Sequence, residues 1–116
     1  MWLMTKYGFY SIVQKQPDEF HVRSRERKDI ENLVEGVPLP EAEIAESSHT
    51  DYAFRVVVGQ RDVLAILQFL GETLDYDNFK NKIDRTADQK NKPYHEVWGV
   101  LAKALGAYGR KPGSKT

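Results

Sequence analysis

Apolar and polar residues alternate along several short stretches of the chain, as they do in β-strands. Residues 2–15 are rich in β-branched and aromatic side chains, and residues 20–25 follow them after the turn-like segment Gln16-Pro17-Asp18-Glu19. This pattern predicts a β-hairpin. Residues 42–47 and 52–59 show the same alternation around a short polar break, and they predict a second hairpin.

The register of the first hairpin decides which side chains share a face of the sheet. If the turn pairs Lys15 with Phe20, four basic or aromatic side chains lie on one face: Tyr10, His21, Arg23 and Arg25. Gly8 lies inside the first strand, where a missing side chain is typical of a bulge or a close backbone approach. The register before Gly8 therefore stays open.

Helical spacing replaces alternation in the remaining segments. Residues 27–37 and 62–70 each carry apolar side chains on one helical face. Asp75 or Asp77 is expected to cap a third helix, and residues 93–105 form the clearest helical stripe of the chain. The predicted order is ββαββααα, an α+β fold in which a four-stranded, mainly antiparallel sheet carries helices packed on one face.

Length and composition limit the architecture further. A chain of 116 residues is the usual size of one domain, so we expect a single domain over residues 1–109 and a flexible basic tail over residues 110–116. The chain has no cysteine, which excludes disulfides and thiolate metal sites. No apolar run reaches the length of a secretory signal or a membrane span. These features predict a cytoplasmic protein with no membrane contact.

Charge is segregated along the chain although its sum is zero. Residues 1–30 hold six basic and four acidic groups, residues 31–77 hold two and ten, and residues 78–116 hold nine and three. A neutral total argues against a nucleic-acid binder, whereas segregation favours locally focused fields of each sign. The alternative is that the two ends simply neutralise the middle in the folded state.

The first candidate binding surface is the predicted face with Tyr10, His21, Arg23 and Arg25. Guanidinium groups neutralise phosphates, and an aromatic ring among them provides a stacking platform for a base. The alternative is a solvated hairpin face, where alternation places charged residues in any case.

The second candidate lies in the basic segment that includes Lys82 and Arg85. These residues are three apart, so they share a helix face and can meet one anion together. A solvated helix surface explains them equally simply. An electropositive groove arises only if folding brings this segment beside Arg23 and Arg25.

The third candidate is the carboxylate cluster with Asp75 and Asp77. Carboxylate oxygens suit hard cations, but the segment lacks the spacing and the loop glycine of an EF-hand, and helix capping accounts for either residue. We therefore favour no metal site and predict no cofactor. No Walker A loop and no H-E-x-x-H motif is present, so an enzyme is not indicated and no catalytic residue is assigned.

Three short motifs point to a group of related sequences. The opening MWLMTKYGFYS, the strand-like TDYAFR at residues 50–55 and ETLDYDNFK at residues 72–80 are followed by Val97-Trp98. In these motifs the chain resembles a group of small bacterial proteins of unknown function. The resemblance implies a bacterial, free-standing domain and implies no activity.

The leading prediction is a small non-enzymatic binding or regulatory protein that contacts a nucleic-acid or phosphate-bearing partner through a basic and aromatic sheet surface. One alternative is a homodimeric interaction module that uses the aromatic residues of the opening strand, such as Trp2 and Tyr7. Another is a metal-dependent hydrolase of phosphate esters with Asp75 and Asp77 as ligands.

Overall fold

The strands and helices follow the alternating and helical segments of the sequence closely. The computed structural model describes residues 1–39, 43–84 and 90–106. The described elements are, in chain order, β1 (Trp2–Met4), β2 (Phe9–Gln16), β3 (Glu19–Ser24), α1 (Arg27–Gly36), β4 (Ala45–Glu46), β5 (Phe54–Val58), α2 (Gln60–Glu72), α3 (Phe79–Asp84) and α4 (Asn91–Leu105).

The chain divides into two compact units, Met1–Asp75 and Tyr76–Thr116. The first contains the sheet with α1 and α2, and the described part of the second contains α3 and α4. A single domain over residues 1–109 stays a prediction. The predicted tail over residues 110–116 lies outside the described residues.

The sheet confirms the α+β class and corrects the predicted strand count. Its five strands lie in the order β1-β2-β3-β5-β4, and every neighbouring pair is antiparallel. The prediction of four strands and the order ββαββααα was wrong, because the opening stretch is two strands joined by a turn. In that turn the Thr5 amide donates to the Gly8 carbonyl at 3.0 Å, and Gly8 has φ 156°, a conformation that favours glycine.

The pairing of β2 with β3 differs from the predicted register by one residue. Gln14 lies opposite Phe20 and Gln16 opposite Glu19, so Lys15 is an extra residue in a β-bulge. Side chains alternate between faces, and a shift of one residue therefore moves a whole set to the other face. Tyr10 consequently lies on the opposite face from Arg23, which corrects the predicted grouping.

One face of the sheet packs against α1 and α2 and forms the hydrophobic core. We call it the inner face. Its buried strand residues are Tyr10, Ile12, Val22, Val56 and Val58. The helices contribute Ile30, Leu33, Val63 and Ile66. Burial of these side chains is the main force that holds the two layers together.

The start of α2 is fixed by two carboxylates. Asp18, in the turn between β2 and β3, accepts a hydrogen bond from the Gln60 amide at 2.8 Å, and Asp62 accepts one from the Gly59 amide at 3.3 Å. Negative groups are favourable at a helix N-terminus because free amides and the helix dipole meet there. The first hairpin is therefore tied directly to α2.

The second unit has a different capping residue from the one predicted. The Asn78 side chain accepts a hydrogen bond from the Asn81 amide at 3.0 Å, so Asn78 caps α3 in place of Asp75 or Asp77. In α4 the predicted apolar stripe is present, and Tyr94 is buried within it. No helix in the described ranges of either unit is long and apolar enough to cross a membrane.

Candidate functional site

The sheet face opposite α1 and α2 carries the candidate site, and we call it the outer face. Strand alternation places Ser11, Arg23 and Arg55 on it in one row, because Ser11 lies opposite Arg23 and Arg23 opposite Arg55. Arg25 continues the same face beyond the end of β3 and is exposed. We refer to Arg23, Arg25 and Arg55 as the arginine cluster.

Arg23 is held in place at the centre of this row. Its Nη2 donates a hydrogen bond to Ser11 Oγ at 2.8 Å, and its Cζ lies 4.7 Å from the centre of the Tyr52 ring. Its Nε is buried and has no hydrogen-bond acceptor within the described residues. An unpaired buried donor costs about 1–3 kcal/mol, and each instance in a folded protein calls for an explanation.

The Tyr52 ring contacts two arginines. The Arg25 Cζ is also 4.7 Å from the Tyr52 ring centre, and the ring is only 8% exposed. The electron-rich face of an aromatic ring attracts guanidinium groups, and each such contact contributes about 0.5–2 kcal/mol depending on its desolvation. Tyr52 therefore holds two like charges close together on the outer face.

Arg55 is oriented by a histidine. Its Nη1 lies 3.2 Å from His21 Nδ1, and His21 Nε2 lies 3.1 Å from Glu19 Oε2. A guanidinium group can only donate, so His21 Nδ1 must accept the hydrogen bond from Arg55. His21 is then the neutral tautomer with its proton on Nε2, from which it donates to Glu19.

The arginine cluster has no carboxylate partner within the described residues. The ion pairs found there join Lys6 to Asp75 and Arg27 to Glu31, and neither of them includes Arg23, Arg25 or Arg55. The nearest acidic residue in sequence on this face, Glu19, is already bonded to His21. The outer face thus presents three guanidinium groups that form no direct ion pair with a carboxylate of the described residues.

Two aromatic rings flank the row on its β1 side. Trp2 lies opposite Ser11, which places it on the outer face, and it is 74% exposed. The Phe9 ring contacts it edge to face, with 6.2 Å between ring centres and 63° between ring planes. The face therefore combines exposed aromatic surface with guanidinium groups that have no direct carboxylate partner among the described residues.

Of the four residues predicted to form the first candidate surface, three are brought together and one is not. His21, Arg23 and Arg25 all lie on the outer face, as the sequence predicted. Tyr10 was placed wrongly: it is fully buried on the inner face, and its hydroxyl donates to the Asp29 carbonyl at 2.7 Å. Its burial follows from the bulge in β2, which reverses the face on which Tyr10 lies.

The predicted second basic segment belongs to a different unit from the arginine cluster. Lys82 belongs to α3 in the second unit, and Arg85 lies outside the described residues. A groove formed jointly with Arg23 and Arg25 remains a hypothesis.

Three residues near the arginine cluster were absent from the predicted binding surface: Trp2, which was assigned only to the alternative dimer interface, Tyr52 and Arg55. A signal for Arg55 existed, because it alternates with the buried Val56 on β5. The alternation of residues does not indicate that β5 pairs with β3, because this pairing joins residues more than thirty positions apart in sequence.

In the predicted carboxylate cluster, Asp75 forms an ion pair with Lys6. Asp75 Oδ1 lies 3.0 Å from Lys6 Nζ, which also donates to the Thr73 carbonyl. Burial lowers the pKa of Lys6, but its hydrogen bond to Asp75 and its interactions with Tyr7 and Asp75 outweigh burial and raise the pKa above the ordinary lysine value. No group of three potential metal ligands occurs within the described ranges.

Comparison with known proteins does not assign the chain to a family. No family model, no curated protein and no solved structure matches this chain.

Proposed function

We propose that this protein binds nucleic acid through its outer face and acts as a binding or regulatory protein without catalysing a reaction. The observation that carries the proposal is the arginine cluster, in which three guanidinium groups on one face lack described carboxylate partners. Guanidinium groups match the charge and the planar geometry of phosphate oxygens, and they release condensed counterions when they bind them.

The orientation of the arginines supports the proposal. Arg23 is fixed by Ser11 and Tyr52, Arg25 by Tyr52, and Arg55 by His21. An arginine that is already ordered loses less side-chain entropy when it binds a phosphate than a free surface lysine does. The buried, unpaired Nε of Arg23 is consistent with this view, because binding sites are one place where proteins retain such a cost.

The neutral total charge is compatible with binding at one face. Attraction between a nucleic acid and a protein depends on the local potential as well as on the net charge. At physiological salt the potential falls off over about 8 Å, so the arginine cluster acts on a ligand that lies against the sheet largely independently of distant acidic residues. We therefore expect binding that is weak at high salt and confined to this face.

Fluorescence anisotropy of short labelled DNA and RNA oligonucleotides at low salt tests the proposal. We expect the affinity to fall steeply as salt rises, and Arg23→Gln and Arg55→Gln each to weaken binding and to lower the salt slope by about one. Arg27→Gln is the matched control, because it removes the same charge from α1, where Arg27 pairs with Glu31.

Two results would contradict the proposal. One is a flat titration with every oligonucleotide at low salt. The other is an equal loss of affinity in Arg27→Gln, which would show that binding depends on total charge alone. Circular dichroism of each variant checks that the fold is retained.

A further inference from the structure

Trp2 is placed to take part in the same binding surface as the arginine cluster. It begins the row Trp2, Ser11, Arg23, Arg55, in which each residue lies opposite the next on the neighbouring strand. With a strand spacing of about 4.8 Å, the backbones at Trp2 and Arg23 are roughly 10 Å apart, and those at Trp2 and Arg55 roughly 14 Å. A ligand that lies across the strands meets an aromatic ring first and guanidinium groups next.

The Trp2 ring is exposed and yet supported. Large aromatic side chains contribute most to folding when they are buried, but Trp2 is 74% exposed. Its edge-to-face contact with Phe9 restrains the ring. An exposed, supported ring is the stacking platform that proteins present to unpaired bases, whatever their sequence.

The width of the sheet argues against a duplex as the preferred ligand. Five strands at about 4.8 Å spacing give a surface of roughly 19 Å, whereas the major groove of B-DNA is about 12 Å wide and admits a helix or a two-stranded ribbon. Arg23 and Arg55 lie on β3 and β5, which are flanked by β2 and β4. They therefore do not project as a ribbon that enters a groove.

We infer that the outer face binds single-stranded nucleic acid, with an unpaired base stacked on Trp2 and the backbone phosphates on the arginine cluster. This inference rests on the proposed function and names its ligand class. Sheets that read single strands elsewhere stack two or three bases in this way, and the exposed bases of a single strand are what a duplex cannot offer. The base contact is expected to tolerate any sequence, because every base has an aromatic face.

The test uses the full chain and the fluorescence of Trp2. The chain has two tryptophans, so Trp98→Phe leaves Trp2 as the sole tryptophan and keeps an aromatic ring at position 98. The probes are a mixed-sequence single strand, the duplex formed with its complement, and inorganic tripolyphosphate as a source of phosphate without bases. We expect the single strand to quench Trp2 fluorescence and to bind about tenfold more tightly than the duplex.

Replacing the ring provides the second measurement. Trp2→Leu is expected to weaken single-strand binding about tenfold and to leave tripolyphosphate binding unchanged. Trp98→Phe is the control, and its affinity for the single strand should equal that of the parent protein. Thermal melts of both variants confirm that Trp2→Leu, at an exposed position, remains folded.

The outcomes separate this inference from the proposed function. If duplex and single strand bind equally, Trp2 fluorescence stays constant and the arginine variants still weaken binding, the single-strand inference is wrong and the proposed function stands. If no nucleic acid binds, both are wrong. If sedimentation detects a dimer that Trp2→Leu dissociates, Trp2 belongs to a protein interface, and that result also overturns the inference.

Discussion

The inner and outer faces of the sheet are built from alternate residues of the same strands, yet their side chains differ in kind. On β5, Val56 is fully buried against the helices, while Arg55 on the other side bonds to His21. On β3, Val22 is fully buried, while Arg23 bonds to Ser11 and contacts Tyr52. Adjacent residues thus belong to a hydrophobic core and to a polar network.

The difference lies in how each face is ordered. The inner face is fixed by apolar packing, which is non-directional and depends on area and shape. On the outer face, hydrogen bonds and ring contacts orient individual charged side chains, because these interactions depend on direction. A fold that needs one face for stability is therefore free to use the other face for binding.

The largest expected effect on stability comes from replacing a buried valine of the inner face by alanine. Val56→Ala removes two buried carbons and should lower the free energy of unfolding by about 2–3 kcal/mol. Val57→Ala is the matched control, because Val57 is the next residue, lies on the outer face opposite His21 and is 50% exposed. We expect it to change stability by less than about 0.5 kcal/mol.

Urea denaturation of both variants measures the contrast. The midpoint should fall for Val56→Ala with little change in the slope m, since the core loses contacts without a change of fold. Equal destabilisation by the two variants would contradict the division into a packed inner face and an exposed outer face.

A second, smaller effect is expected where the first hairpin meets the core. Gly8→Ala should cost about 2 kcal/mol, because Gly8 has φ 156° and an added Cβ would clash with the Asp29 side chain. Asp29 is buried and accepts a hydrogen bond from the Phe9 amide at 3.0 Å, so the clash would also disturb the start of β2.

Gly71→Ala is the control for the glycine substitution. Gly71 lies in α2, and no atom lies near the position of an added Cβ. Alanine in a helix is favoured over glycine by about 0.5–1 kcal/mol, so this variant should be neutral or slightly stabilised in the same urea titration. A loss of stability in Gly71→Ala as large as that in Gly8→Ala would show that glycine content matters more than geometry.

The sequence was sufficient for the periodic parts of the inner face. Alternation around Val56 and helical spacing in α1 and α2 each report which residues are buried, because burial repeats with the geometry of the element. The antiparallel sheet and the α+β class follow from these local patterns.

The outer face was predictable only in part, because its composition depends on two features that no local pattern reports. The bulge at Lys15 exchanges the faces of Tyr10 and its neighbours, although the alternation on either side of the bulge is undisturbed. The pairing of β3 with β5, which brings Arg55 to His21, joins segments that are distant in sequence. The face of the sheet on which Arg23 lies was predicted correctly, while its ring partner Tyr52 could not be inferred.

The smallest expected effect concerns an ion pair beside the sheet. The pKa of Lys6 is raised in the folded protein, so its pairing stabilises the fold at every pH below the ordinary lysine pKa of about 10.4 and is lost as pH rises through the raised value. The Asp75 side chain is 54% exposed, so solvent screening keeps the contribution below about 1 kcal/mol. Asp75→Asn should therefore lower the urea midpoint slightly at pH 8 and converge with the parent protein as the pH rises past the raised pKa of Lys6. A difference between the two proteins that stays constant or grows over this range would show that the Asp75 carboxylate acts by some means other than pairing with the Lys6 ammonium. Because Lys6 lies in the turn that leads from β1 to β2, a small difference at pH 8 would also show that charge pairing adds little to the stability that the packing of the inner face provides.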